Sequence, residues 1–390
     1  MGELKPVDYN MIKVGSPISQ SIYLKSGDLL FKHGRMVTSQ RQKKVLVAQG
    51  FFLDEPEFIP PKPAPNADVI PTYALNHAPP PAKDTIFDVK ERWLGELYHI
   101  FKLAREPLVV SFSYQITKLA NEIQWVCEYH QDALLAAFHI DSESDYGLLH
   151  ALHRAIIGEV IAKQSDLTRN QRLPILCGAL THDLGMADIQ TALHHQKSAL
   201  TDEQVQQLKQ HPLESHKELS RLGVDDKDWL DIALHHHERI DGSGYPHNLT
   251  ADAIPLSVKI ASVADTYTAL VRPTNSRTCN SGKKALAILY KERSVSLDAG
   301  LIDKLINIVG IFPIGALVRL NNGEIGVVVK SGKKISQPVV SILQSANLKI
   351  IQGRRLRDIQ DEQFTIADEL SLADYPSLVE PVHNQWTAVI

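Results

Sequence analysis

Cysteine is scarce in this chain: three in 390 residues, Cys127, Cys177 and Cys279, far apart and in no CxxC pair. That argues against a disulfide framework or a thiolate zinc site and leaves each as a small core residue. No apolar run approaches the roughly 20 residues needed to span a bilayer. Met1 to Asn10 carry charges and a proline where a secretory signal needs an apolar core, so a cytoplasmic protein without membrane insertion is expected. Long basic runs are also missing. With a net charge of −4, the chain offers no face for neutralising polymeric nucleic acid, and any phosphate partner is small.

Histidine is what the chain has in excess, and unevenly: 13 of 17 fall between His130 and His247. The flanking texture divides the chain. Residues 1–59 read as an N-terminal accessory α+β module, with short strands in Ile12 to Ile22 and Leu29 to Val37 and a helix over Gln40 to Ala48. Residues 60–82 hold eight prolines and read as a semi-extended linker. A helical lead-in over 83–140 shows apolar residues at three- and four-residue spacing (Ile116, Leu119, Ile123, Val126), and helical patterning continues through 141–312. At Pro313 the texture turns to β runs with an Asn322-Gly323 turn, a small C-terminal β appendage over 313–350. Residues 351–390 form an acidic tail, with seven acidic residues and no lysine or arginine after Arg357. The expected fold is mainly α.

Two doublets carry the chemistry. His182-Asp183 ends an apolar helical segment before Gly185, and His236-His237, preceded by His235, ends another. Neighbouring helix residues point about 100° apart, so a His-Asp doublet can serve two adjacent metal ions if the carboxylate bridges them. His150, His211 and Asp265 complete a set of seven nitrogen and oxygen ligands, which suits iron, manganese or zinc better than calcium. His194, His195, His216 and His247 read as surface residues, and His235 as an outer donor.

With His182-Asp183-Leu184-Gly185 and His236-His237-Glu238-Arg239-Ile240-Asp241-Gly242-Ser243-Gly244-Tyr245-Pro246, the chain resembles the HD-GYP subgroup of the HD phosphohydrolase superfamily, bacterial phosphodiesterases of cyclic di-GMP. The resemblance runs strongly from about Asp141 to Phe312. It implies an all-α HD-GYP helical bundle holding metal through His150, His182, Asp183, His211, His236, His237 and Asp265, with Asp183 bridging. Three departures stand out. Tyr146 occupies the position of a glutamate that helps hold a third metal, so two divalent ions are expected, iron first, with manganese or zinc as alternatives. Met186 stands where the family's HDxGK motif has lysine. The stretch after Asp265 leading to Arg272-Pro273 is short and lacks a tyrosine two residues after the arginine.

The activity implied is hydrolysis of cyclic di-GMP to linear pGpG, with a further cut to GMP as an extension, by a metal-bridging hydroxide. Catalytic roles fall to Asp183 and His182, with His235 or water as the acid for the leaving oxygen. Gly244 and Tyr245 would shape the substrate wall, and Lys259 and Arg272 would contact phosphate. The alternatives are a cyclic-dinucleotide sensor of low activity, which Met186 favours, or a phosphodiesterase of cyclic GMP-AMP. Signalling partners are expected at the GYP loop or the N-terminal module.

Overall fold

The computed structural model describes residues 84–105, 112–140, 146–186, 201–271, 281–332, 334–359 and 362–386, with shorter pieces between 4 and 53. The chain divides into two units, Met1–Asn76 and His77–Ile390. The proline-rich stretch 60–82, Arg272 and Cys279 lie outside the described residues.

The first unit is an antiparallel sheet of β1 (Leu4–Pro6), β2 (Ile22–Tyr23), β3 (Leu29–Phe31) and β4 (Phe51–Leu53) in the order β1-β4-β2-β3. Val7, Ile12, Ile18, Ile22, Val37 and Leu46 form its core. Of the strand expected over Ile12 to Ile22, the described residues are in a strand only at Ile22, and residues 14, 15, 17 and 19–21 lie outside the described residues. β1 and β4 are strands that hydropathy alone did not reveal, since three residues are too short to show alternation.

The second unit is built on ten helices among the described residues before its sheet begins. The first three are α1 (Ile86–Ala104), α2 (Phe112–Tyr129) and α3 (Gln131–Ile140). The Thr85 hydroxyl accepts from the Asp88 amide while Asp88 accepts from the Thr85 amide, a capping box that starts α1. The apolar stripe of α2 is buried at Ile116, Leu119, Ile123 and Val126, as its spacing predicts. α4 (Tyr146–Lys163) is apolar around most of its circumference, with Leu149, Leu152, Ile156, Val160 and Ile161 all buried. A helix so patterned needs partners on several sides. It finds them in α5 (Arg169–Thr181) and α8 (Leu256–Val271), with α6 (Asp202–Arg221) and α7 (Lys227–His235) beyond α5. α9 (Gly282–Glu292) and α10 (Ala299–Val309) complete the helical layer. No described helix is long and apolar enough to cross a membrane.

The β part is larger than its texture suggests. β5 (Leu317–Leu320), β6 (Ile325–Lys330) and β7 (Val339–Gln344) are joined by β8 (Leu356–Asp358) and β9 (Ile366–Leu370), all antiparallel, in the order β8-β7-β6-β5-β9. The acidic tail therefore supplies both edge strands and carries a short helix, α11 (Val379–His383). Gly323, at φ 84°, makes the β5–β6 turn. The sheet shares one core with the helices. Gly315, at φ 95°, passes so near α3 that a Cβ would sit 3.1 Å from the Ala136 Cα.

Candidate metal centre

Both doublets sit where a helix ends. His182 is the C-cap of α5, its amide bonded to the Gly178 carbonyl at 2.9 Å, and Asp183 opens the turn Leu184–Met186. His236 is the C-cap of α7, its amide bonded to the Ile232 carbonyl at 3.1 Å. Helix C-termini carry partial negative charge, which favours a nearby cation. The two helices can meet closely because Gly178 has no side chain: a Cβ there would lie 2.9 Å from Ile232. Trp229 Nε1 donates to Thr181 Oγ1 at 2.7 Å, and that hydroxyl donates to the Cys177 carbonyl at 2.7 Å, tying α7 to the last turn of α5.

His211 is aimed by its neighbour. Pro212 has no N–H, so the Leu208 carbonyl four residues before it loses its helical partner. His211 Nδ1 takes that carbonyl as a hydrogen-bond acceptor. His236 Nδ1 likewise donates to the Ile232 and Ala233 carbonyls, each at 3.1 Å. His150 and Arg154 come from α4, and Asp265 from α8.

These elements bring all seven expected ligands together. His211 Nε2 and His236 Nε2 lie 3.0 Å apart, with Asp183 Oδ1 at 3.5 and 3.9 Å from them. His237 joins this half, its ring 4.2 Å from that of His236 and 5.0 Å from that of His211. On the other side His150 Nε2 is 3.1 Å from Asp265 Oδ1, and His182 Nε2 is 3.7 Å from the same oxygen and 3.9 Å from Asp183 Oδ2. The rings of His182 and His236 stack at 3.9 Å, joining the halves. Asp183 thus turns one oxygen to each half.

The fit to a divalent ion rests on tautomers. A carbonyl can only accept, so His211 and His236 both carry their proton on Nδ1 and both present Nε2 lone pairs. Two lone pairs facing each other at 3.0 Å repel unless a cation lies between or beside them. Ligands about 2.1 Å from a tetrahedral ion are about 3.4 Å from each other, which matches the separations in this half. Neither ring nitrogen of His182, wholly buried, has a hydrogen-bond partner among the described residues, another mark of a ligand position.

Electrostatics favour neutral imidazoles and ionised carboxylates, the states that bind metal. Burial, reinforced by His182 and His237, holds His236 well below the usual histidine range, and burial lowers His237 to about 3. Burial followed by the Arg154 charge lowers His182. For Asp183, burial works upward, but Arg154 and then His182, His211 and His236 outweigh it and hold the carboxyl well below its ordinary value. Asp265 is held down against the same burial by its hydrogen bond with His150 and by the nearby His182, 3.7 Å away.

Arg154 was not foreseen. Its guanidinium is 1% exposed, its Nε donates to the Ala179 carbonyl at 2.5 Å, and one Nη donates to Asp183 Oδ2 while lying 3.6 Å from Asp265 Oδ1. The sequence signal was its place four residues after His150, on the same face of α4.

Around the centre, Tyr245 stacks on His237 with ring centroids 4.7 Å apart. Gly244 is there because a Cβ would lie 2.4 Å from the Arg239 nitrogen and the Glu238 Cα. The loop is pinned by Glu238, another residue not singled out in the sequence, whose carboxylate accepts from the His247 and Leu249 amides at 2.6 and 2.9 Å. Asn248 donates to the Gly244 carbonyl at 2.6 Å. His235 meets His247 at 3.1 Å instead of joining the cluster. Lys259 lines a cleft with Glu238, Ile240, Ser262 and Asp298, placing it beside carboxylates. Met186 closes the turn after Asp183, partly exposed.

This arrangement of His, His-Asp and Asp on a helical core defines a class. Residues 139–301 match the family model described as HD domain. That stretch is similar to HD domains, and the motifs that resemble the HD-GYP subgroup lie on either side of its centre. It is 28% identical over 244 residues to a cyclic di-GMP phosphodiesterase of Pseudomonas aeruginosa, covering 62% of this chain and 58% of that protein. It is 32% identical over 157 residues to a cyclic di-GMP phosphodiesterase response regulator of Xanthomonas campestris, covering 38% and 40%. A 3'3'-cGAMP-specific phosphodiesterase of Vibrio cholerae is 28% identical over 159 residues, covering 41% and 34%. The chain spans less than two thirds of the length of each of these relatives.

Proposed function

We propose that this protein hydrolyses a phosphodiester bond of cyclic di-GMP to give linear pGpG, using two divalent ions, iron first, with manganese or zinc as alternatives. The observation that carries this reading is the approach of His211 Nε2 and His236 Nε2 to 3.0 Å beside Asp183 Oδ1. Bound divalent ions supply Lewis acidity and an ionised water near neutral pH. His150, His182, His211, His236 and His237 serve as neutral ligands, and Asp183 and Asp265 as the anionic ones. Tyr245, fixed by its stack on His237, forms a wall against which a base or ribose can lie. Protonation of the departing ribose oxygen falls to solvent, because His235 faces His247.

Met186 favours a second reading, a cyclic-dinucleotide sensor of low turnover, since a thioether stands where a cation would meet substrate phosphate. The test is incubation of anaerobically purified, metal-quantified protein with cyclic di-GMP and with cyclic GMP-AMP, products being resolved by chromatography and Asp183→Ala serving as control. Metal-dependent pGpG absent from the control is expected. Product from cyclic GMP-AMP alone would move the assignment to that substrate, and bound metal and dinucleotide with no product from either would replace the enzyme with the sensor.

A further inference from the structure

Building on the metal-centre reading, we infer that Arg154 acts as a built-in cation of this centre. It fills the Asp265 side, so that one divalent ion binds tightly on the His211, His236 and His237 side and a second binds only weakly.

The geometry assigns this role through the oxygens Arg154 contacts. Its Nη lies against Asp183 Oδ2 and 3.6 Å from Asp265 Oδ1. Those are the two oxygens that His182 Nε2 faces at 3.9 and 3.7 Å. An ion shared by them would sit about 2 Å from each oxygen, and therefore in contact with that Nη. Asp183 Oδ1, by contrast, is turned to His211 and His236, while the guanidinium contacts the other oxygen. One half of the centre is open to a cation and the other already holds one.

The guanidinium is also fixed. It stays charged at any ordinary pH, is 1% exposed, and is held by its Nε on the Ala179 carbonyl in the last turns of α5. A lysine could withdraw along its flexible stem. Arg154 is packed on α4 and tied to α5 by that bond. Two divalent ions added to this arrangement would leave three positive charges in excess of the two carboxylates. In a site poorly screened by solvent, that excess weakens the second ion.

The test uses the full chain, stripped of metal anaerobically and titrated with manganese(II), with free ion read by electron paramagnetic resonance. Wild type is expected to bind one tight equivalent and a second at least about tenfold more weakly. Arg154→Met, which keeps the length of the stem without its charge, should bring the two equivalents to comparable affinity. Arg154→Lys, whose ammonium can withdraw along its stem, should leave them less far apart than wild type. Thermal melts report whether each variant folds, and if Arg154→Met does not, the wild-type isotherm decides alone. Two equivalents of equal affinity in wild type, or an isotherm unchanged in a folded Arg154→Met, would overturn this inference while leaving the metal centre standing. No manganese binding in any variant would remove the metal centre and this inference together.

Discussion

Replacing Glu238 with alanine tests how the wall of the centre is held in place. Glu238 is 2% exposed, and its two carboxylate oxygens accept from the His247 and Leu249 amides at 2.6 and 2.9 Å. Hydrogen bonds to a charged partner contribute about 1.5–3 kcal/mol each. The His247 residue is exposed and Leu249 partly so, so their amides recover part of that from water in the variant. About 3 kcal/mol remains, roughly a hundredfold rise in the population of the open loop. Hydrogen exchange measured by mass spectrometry on a peptide spanning residues 241–250 reads this directly. Glu238→Gln keeps one acceptor oxygen but turns an NH2 toward the other amide, so it should open the loop by an intermediate amount. Since the same loop carries Tyr245 onto His237, KM for cyclic di-GMP should rise in the same order. Exchange in Glu238→Ala within about threefold of wild type would refute the claim that this carboxylate holds the loop.

Three further substitutions probe the frame. Met186→Lys restores the cation that the family motif places after its aspartate, and turnover of cyclic di-GMP should increase; an unchanged kcat would show that this position does not limit the reaction. Gly178→Ala puts a Cβ 2.9 Å from Ile232, so denaturant melts should show a loss of about 1–3 kcal/mol, the usual cost of overpacking. Metal content should fall with it, because α5 and α7 carry both doublets. Thr181→Val leaves the Trp229 indole N–H without its acceptor, a loss of about 1–3 kcal/mol, and a melt within error of wild type would show that water or another group replaces it.

The helices were legible because their apolar spacing is the physical cause of their burial: Ile116, Leu119, Ile123 and Val126 face the core for the reason that made them conspicuous. The doublets were legible because a His-Asp or His-His pair at the end of an apolar run has few other uses. The acidic tail was harder to read. β9 holds five residues, two of them acidic, and it can be a strand because it lies at the sheet edge, pairing only with β5. Asp368 is exposed there and Glu369 is half-buried, its carboxylate accepting from the Gly282 amide at 3.0 Å, and edge strands tolerate such charge. Composition alone cannot distinguish that from a solvated terminus.

Arg154 shows where a sequence reading can go one step further than it did. A cation four residues from a predicted ligand, on a helix apolar around most of its surface, has to enter the interior beside that ligand. There it needs an anion, and Asp183 and Asp265 are the acidic residues this centre contains. Spacing on α4 could therefore place Arg154 near the centre, but Asp183 lies 29 residues away along the chain. Which of its two oxygens the arginine takes depends on how α4 packs on α5. That choice is what makes the two halves of the centre unequal, and it is a property of the fold that no motif encodes.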